Sequence, residues 1–242
     1  MANVKGHEVA APVNEQRGVL DGDAAALPSV RPPLSQYTGR TVLAMGAHPD
    51  DLELGVGGTM ACLALAGAKV VGAVVSVPSQ FEVRKLEARV AGGIVGLSEL
   101  KFLLPDGVRI EDMKSYELVE RIQRLIEEVR PAALLSHGTS DFHRDHVLVH
   151  NACAEASRGS YFDFFTYFPT MTRPVAVDFS PRVYVDITET IETKMRAIDA
   201  YPSQFQRREL ETEFCRAQAR EHGRRVGVQY AEALQVVRMR LS

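Results

Sequence analysis

Thr41–Ala47 reads TVLAMGA and runs directly into His48-Pro49-Asp50-Asp51 and then Gly55-Val56-Gly57-Gly58. A short, continuous apolar run that halts at a polar and glycine-rich segment is the pattern of a strand buried on both faces of a parallel sheet. The pattern recurs along the chain. Thr59–Ala68 reads as a helix, Val70–Val77 (VVGAVVSV) as a second buried strand, Phe81–Val95 as a charged amphipathic helix and Lys101–Leu104 as a short third strand. Tyr116–Val129 follows as a helix with Leu118, Ile122, Leu125 and Ile126 on one face; Pro131 breaks it, and Ala132–Ser136 (AALLS) is the next strand. A helix is expected from about Asp145, and beyond an aromatic stretch at Phe162–Phe168 the period is less regular. Val183–Ile187 suggests a strand and Glu189–Ile198 a helix capped by Thr188, while Tyr230–Arg238 fits strand or helix equally. Strands alternating with helices predict an α/β fold: a Rossmann-like, mostly parallel sheet flanked by helices in a single domain.

The chain has 242 residues, 45% apolar and 24% charged, enough to bury one large core. Residues 1–39, with scattered Pro, Gly, Asn and Asp, read as an irregular N-terminal extension, and residues 40–242 as the domain. No stretch approaches the roughly 20 apolar residues of a membrane helix, and no signal-peptide core is seen, so a cytoplasmic protein without membrane attachment is expected. A net charge of -3 argues against capture of nucleic acid and favours a small-molecule substrate. Cys62, Cys153 and Cys215 lack CxxC spacing and read as reduced thiols without catalytic duty.

Sites in open parallel sheets form beyond the carboxyl ends of the strands. Two polar clusters fall there: His48-Pro49-Asp50-Asp51 after the first strand, and His143-Arg144-Asp145-His146 after the AALLS strand. A mononuclear zinc hydrolase needs three protein ligands, an open position and a carboxylate near the water. Pro49 stiffens a tight turn, so that His48 and Asp51 can converge on a metal while Asp50 stays free as a base. The second cluster offers one further ligand from a helix start and another histidine about one turn away for the substrate. Either cluster alone could be a helix-capping turn, with Asp141 or Asp145 as caps; their joint placement after two strands of one sheet favours a metal site. His150, i+4 from His146, reads as structural, His137 as a hydrogen-bonded loop residue, and His7 and His222 have no partners in sequence. The GVGG segment lacks GxGxxG spacing and follows an acidic turn, so it reads as close backbone packing behind the site, not a phosphate loop.

These residues resemble the LmbE-like, or PIG-L, zinc-dependent N-deacetylases. The resemblance begins with AMGAHPDDLELGVGG (Ala44–Gly58), continues through Arg84, Glu87 and Gly96 and through Leu104-Pro105-Asp106-Gly107, includes His143–His146 against the family's H-P-D-H, and ends with GRRVGVQYAEAL (Gly223–Leu234). It implies Zn2+, or another divalent metal, bound by His48, Asp51 and His146, with Asp50 as general base. It also implies His143 as stabiliser of the tetrahedral intermediate, with Asp145 holding its imidazole, and Arg84 and Asp106 at the sugar hydroxyls. Glu53 is expected to hydrogen-bond the metal loop. The implied activity is hydrolysis of an N-acetyl amide on an amino sugar or amino-sugar-containing metabolite. A metal-dependent amidase for a non-sugar metabolite and a silent binding protein of the same fold are the alternatives, and homo-oligomerisation is open. One departure stands out: Arg144 replaces the usual proline, which is expected to loosen the second loop and put a cation at the pocket rim.

Overall fold

The computed structural model describes residues 34–168, 179–204 and 208–240. Seven strands and six helices alternate in the order β1 (Thr41–Gly46), α1 (Asp51–Leu65), β2 (Lys69–Val74), α2 (Phe81–Val95), β3 (Glu99–Phe102), α3 (Ser115–Val129), β4 (Ala133–His137), α4 (Arg144–Ala156), β5 (Asp163–Tyr167), β6 (Val183–Asp186), α5 (Ile191–Asp199), α6 (Arg208–Val226) and β7 (Ala231–Arg238). One sheet holds all seven strands in the order β3-β2-β1-β4-β5-β7-β6. Strands β3 through β5 are parallel; β7 runs antiparallel to both β5 and β6. The expected mostly parallel α/β sheet is therefore present.

The order places the site. After β1 the chain winds outward through β2 and β3, then returns to lay β4 on the other side of β1, with Val42 opposite Ala133 and Ala44 opposite Leu135. The β1 and β4 ends therefore open side by side at the point where the strand order reverses, and they carry the two polar clusters. Side chains alternate across the sheet as period-2 geometry requires. Val42 and Ala44 pack into the core cluster that also contains residues of α1, α2, α5 and α6, while Leu43 and Met45 pack into the one containing residues of α3 and α4.

At several points the structure departs from the sequence reading or decides what it left open. Helix α1 begins at Asp51, eight residues before the expected Thr59, and includes a non-helical Val56 (φ -138°, ψ 22°). Glycine depresses helix propensity, but here it admits neighbours: a Cβ at Gly55 would sit 2.2 Å from the Tyr167 ring, and one at Gly58 would sit 2.8 Å from Ile187. The GVGG segment is close backbone packing, as its sequence suggested. The residue preceding α5 is Thr190, whereas Thr188 turns its backbone and hydroxyl to Asp186. Tyr230–Arg238 resolves as a strand, and residues 34–37 of the expected extension pack on the domain. There Tyr37, 3% exposed, donates its hydroxyl to Asp163 at 2.8 Å. Residues 1–33, with His7, lie outside the described residues, as do residues 169–178.

None of the three cysteines is in a disulfide among the described residues; Cys153 and Cys215 are buried and Cys62 partly so. Among the described residues no helix is long and apolar enough to cross a membrane.

Candidate metal and catalytic site

The β1 end turns sharply at Pro49 into α1. Asp50 precedes the first helical residue with φ 94° and ψ -28°, in the left-handed region, and its side chain caps nothing. A non-glycine residue held there stores of order 1–3 kcal/mol, a strain that clusters at functional sites. Asp51, one residue on, takes the backbone N–H of His48 on Oδ2 at 2.7 Å, which closes the turn. Its other oxygen, Oδ1, faces His146 Nε2 at 3.3 Å.

His146 stands in the first turn of α4, beyond β4. Its Nδ1 lies 2.6 Å from Asp141 Oδ2, so Nδ1–H is donated to that carboxylate and Nε2 is turned toward Asp51. A parallel arrangement holds His48: its Nε2 is 3.0 Å from Asp145 Oδ2, and its Nδ1 is 4.0 Å from Asp51 Oδ2. Each histidine is thus oriented by a carboxylate behind it and turned toward Asp51. Asp141, read from sequence only as a possible cap, is one of these orienting carboxylates; the available signal was its spacing five residues before His146.

Among the described residues, two overlapping groups of side chains could hold a metal ion: His48, His143 and His146, and Asp51, His137 and His146, with candidate ligand atoms within 4.8 Å of one another in each. The triad His48, Asp51, His146 draws two members from each. His137 is a poorer ligand than its position suggests, because its Nε2 already accepts the Ala47 backbone N–H at 2.9 Å. Burial lowers its pKa to about 4, and its ring stacks on His146 with centroids 4.0 Å apart. His137 therefore joins the β1 end to α4 from beneath the site, a role hidden in sequence because its partners are about 90 residues upstream. His150 donates Nδ1–H to the His137 carbonyl at 2.7 Å, the structural role expected of it.

The electrostatics suit a cation. Burial opposes charging of His146, but Asp51 and Asp141 raise its pKa to about 10. Burial would also raise the Asp51 pKa, yet His146 and His137 hold it well below the ordinary carboxylate range. The centre therefore gathers positive charge between two carboxylates, and the donor set of carboxylate and imidazole nitrogens is one that zinc accepts. Asp50 is different: burial, then the neighbouring Asp51, push its carboxyl well above the usual range, with Arg84 opposing.

His143 is exposed and stacks on His146 with centroids 4.4 Å apart. Its Nδ1 accepts the Asp145 N–H at 3.3 Å, which leaves the proton of the neutral ring on Nε2. The Asp145 carboxylate goes to His48, so the expected grip of Asp145 on His143 is made by its backbone instead.

The remaining expected residues are accounted for as follows. Arg84 is buried and donates to the Pro49 carbonyl at 3.3 Å, bracing the turn, with its Nε unpartnered. Asp106 forms an ion pair with Lys85. Glu53 accepts the Tyr201 hydroxyl at 2.9 Å rather than bonding the metal loop itself. Arg144 is the first helical residue of α4, the position proline favours. Two residues before His146, it lies about 200° around the helix from it. The His143 side chain caps the helix that Arg144 begins, and Arg144 lies on the helix face turned from His146.

A reversal-point cleft with paired carboxylate-oriented histidines and a spare carboxylate defines a metal-dependent hydrolase of α/β type. The PIG-L model, described as GlcNAc-PI de-N-acetylase, matches residues 43–157, which contain both clusters. Over these residues the chain matches the PIG-L, or LmbE-like, deacetylase family of hydrolases. Solved structures share the fold. N,N'-diacetylchitobiose deacetylase from Pyrococcus horikoshii is 20% identical, with 82% of this chain and 84% of that one covered and a TM-score of 0.70. A 4-carboxy-2-hydroxymuconate hydratase from Pseudomonas putida is 22% identical, with coverage of 84% and 98% and a TM-score of 0.71. The zinc-inhibited form of a teicoplanin deacetylase is 19% identical, with coverage of 84% and 100% and a TM-score of 0.65.

Proposed function

We propose that this chain hydrolyses the N-acetyl amide of an amino sugar or an amino-sugar-containing small molecule, using a divalent metal, zinc above all, held by His48, Asp51 and His146. The observation that carries the reading is the division of labour around Asp51: two histidines are turned toward it by carboxylates, while Asp50 and His143 are left without such duty. The chitobiose and teicoplanin deacetylases of this fold make sugar and glycopeptide amides the first substrates to test.

When bound, the metal supplies Lewis acidity, lowering the pKa of a water and polarising an acyl carbonyl. Asp50, its carboxyl raised by burial and by Asp51, accepts the proton as the water oxygen bonds to the acyl carbon. Neutral His143 presents Nε2–H to the carbonyl oxygen as that atom gains negative charge. The C–N bond then breaks as the amine nitrogen takes the proton that Asp50 received, and an amine leaves together with a carboxylic acid, which ionises. Arg84, bracing the Pro49 carbonyl, and Asp106, through the oxygen that Lys85 leaves free, are the side chains assigned to the sugar hydroxyls.

The first experiment is acetate release from N-acetylglucosamine and its glycosides, with zinc added and with chelator. Release indifferent to metal would sink the mechanism. Hydration of an unsaturated carboxylate in place of acetate release would move the chain to the reaction of the Pseudomonas hydratase. The second experiment separates the roles. His146→Ala loses both metal and activity; His143→Ala and Asp50→Asn keep the metal and lose on the order of a hundredfold in turnover, about 3 kcal/mol of transition-state stabilisation. Metal lost in His143→Ala and kept in His146→Ala would reverse the assignment.

A further inference from the structure

Asp50 raises a question that its proposed role as base does not answer: what holds a non-glycine residue at φ 94°? At a helix start an aspartate ordinarily caps the first turn with its own side chain, and a glutamate three positions on reaches back to the cap residue's N–H. Here Asp50 stands at the cap position and Glu53 at that glutamate position, but the Asp50 carboxylate caps nothing. A capping carboxylate would be engaged by backbone amides and spoiled as a base. Tyr201, from the turn after α5, lies between the two residues. Its hydroxyl donates to Glu53 Oε2 at 2.9 Å, and the Asp50 backbone N–H faces the same hydroxyl oxygen.

The turn that carries Tyr201 is itself anchored. Glu87 of α2 takes the Ser203 backbone N–H at 2.9 Å and the Ser203 hydroxyl at 2.5 Å, and Arg84, one helical turn before Glu87, braces the Pro49 carbonyl. Tyr201 is 1% exposed and Glu53 2% exposed, so no solvent competes for these bonds.

We propose that Tyr201 is the positioning residue for Asp50: with Glu53 it forms a capping box widened by one hydroxyl, which holds the Asp50 backbone in its left-handed conformation and frees the Asp50 carboxylate for proton transfer. The inference rests on Asp50 being the base. It assigns a function to a residue outside the blocks that carry the family resemblance, and it makes Arg84 and Glu87 part of the same brace.

The test uses the full-length, metal-loaded protein. Tyr201→Phe keeps the ring and removes the hydroxyl. The Asp50 amide should then exchange its hydrogen on the order of tenfold faster or more, while amides of β1 keep their protection. Turnover of N-acetylglucosamine glycosides should fall on the order of 10- to 100-fold with KM and metal affinity unchanged, as misplacement of a reacting group requires. Glu53→Gln, which keeps an acceptor for the hydroxyl, should retain most of the turnover. Glu53→Leu, which leaves no buried carboxyl unpaired, should behave like Tyr201→Phe and serves where that variant fails to fold. Unchanged Asp50 exchange in a folded Tyr201→Phe, or a loss of turnover fully explained by loss of metal, overturns the inference. A silent Asp50→Asn beside a fully active Tyr201→Phe also overturns it and leaves the base in place; a fully active Asp50→Asn overturns the base assignment and the inference together.

Discussion

Arg144 illustrates how a residue read as a functional departure becomes a matter of stability. In the family pattern its place belongs to proline, and the position is prepared for one. His143, before it, has φ -74° and ψ 112°, the extended conformation that a following proline imposes. As the first helical residue, Arg144 contributes an N–H that an α-helix leaves without an intrahelical acceptor. Arg144→Pro therefore gives up no helical bond and restricts the unfolded chain, a gain of about 0.4–1 kcal/mol. For a domain of this size that is about 1–4 °C in Tm, with metal affinity and turnover unchanged. Calorimetry showing a fall in Tm would mean that the Arg144 side chain holds the second loop by contacts of its own. At this scale the candidate ligands were legible, since histidine and aspartate announce themselves by type and spacing. Their supports were not: Tyr201 lies 148 residues from Glu53, and nothing local marks it.

Helix α1 shows the same limit at the level of an element. Its first turn carries Asp51 and Glu53, and a regular helix would bond the Leu54 carbonyl to the Gly58 N–H. The helix is interrupted at Val56, and a buried ion pair serves the backbone on either side of the break. Lys194 Nζ donates to the Leu54 carbonyl at 2.8 Å and to Glu232 Oε1 at 2.5 Å, while Glu232 accepts the N–H groups of Gly58 and Thr59 at 3.0 and 2.7 Å. The Leu54 carbonyl and the Gly58 N–H thus have partners 140 and 174 positions away along the chain. The local sequence shows only four residues that weaken a helix, which is why the start of α1 was read too late. By contrast, α2 and α3 are set by their own apolar periodicity and were read with their ends in place or one residue off. Lys194→Met would leave Glu232 as an uncompensated buried carboxylate, at a cost of about 3–5 kcal/mol. Urea unfolding at neutral pH measures it; a loss below about 1 kcal/mol would mean that the carboxylate is repaired by protonation or by water.

Across the whole molecule, the site joins two halves of the sheet. One half, β1 with α1, brings His48 and Asp51; the other, β4 with α4, brings His146; between them His137 and the His48–Asp145 pair make the polar contacts. The juxtaposition was legible because alternating strands and helices imply a parallel sheet, and in such a sheet the two clusters can meet only if their strands are neighbours. The antiparallel pairing of β7 was not legible: its first four residues are buried in succession and its last four partly exposed, a pattern shared by strand and helix. A metal on His48, Asp51 and His146 would bridge the halves, and so act on global stability as well as chemistry. Binding to the folded state alone stabilises by about 2.7 kcal/mol at a free metal concentration one hundred times Kd. For a chain of this length, zinc at that excess should raise Tm by roughly 5–10 °C over the chelated protein. The rise should vanish in His146→Ala and persist in His143→Ala. A metal-induced rise of equal size in both variants would place the ion somewhere other than between the two halves.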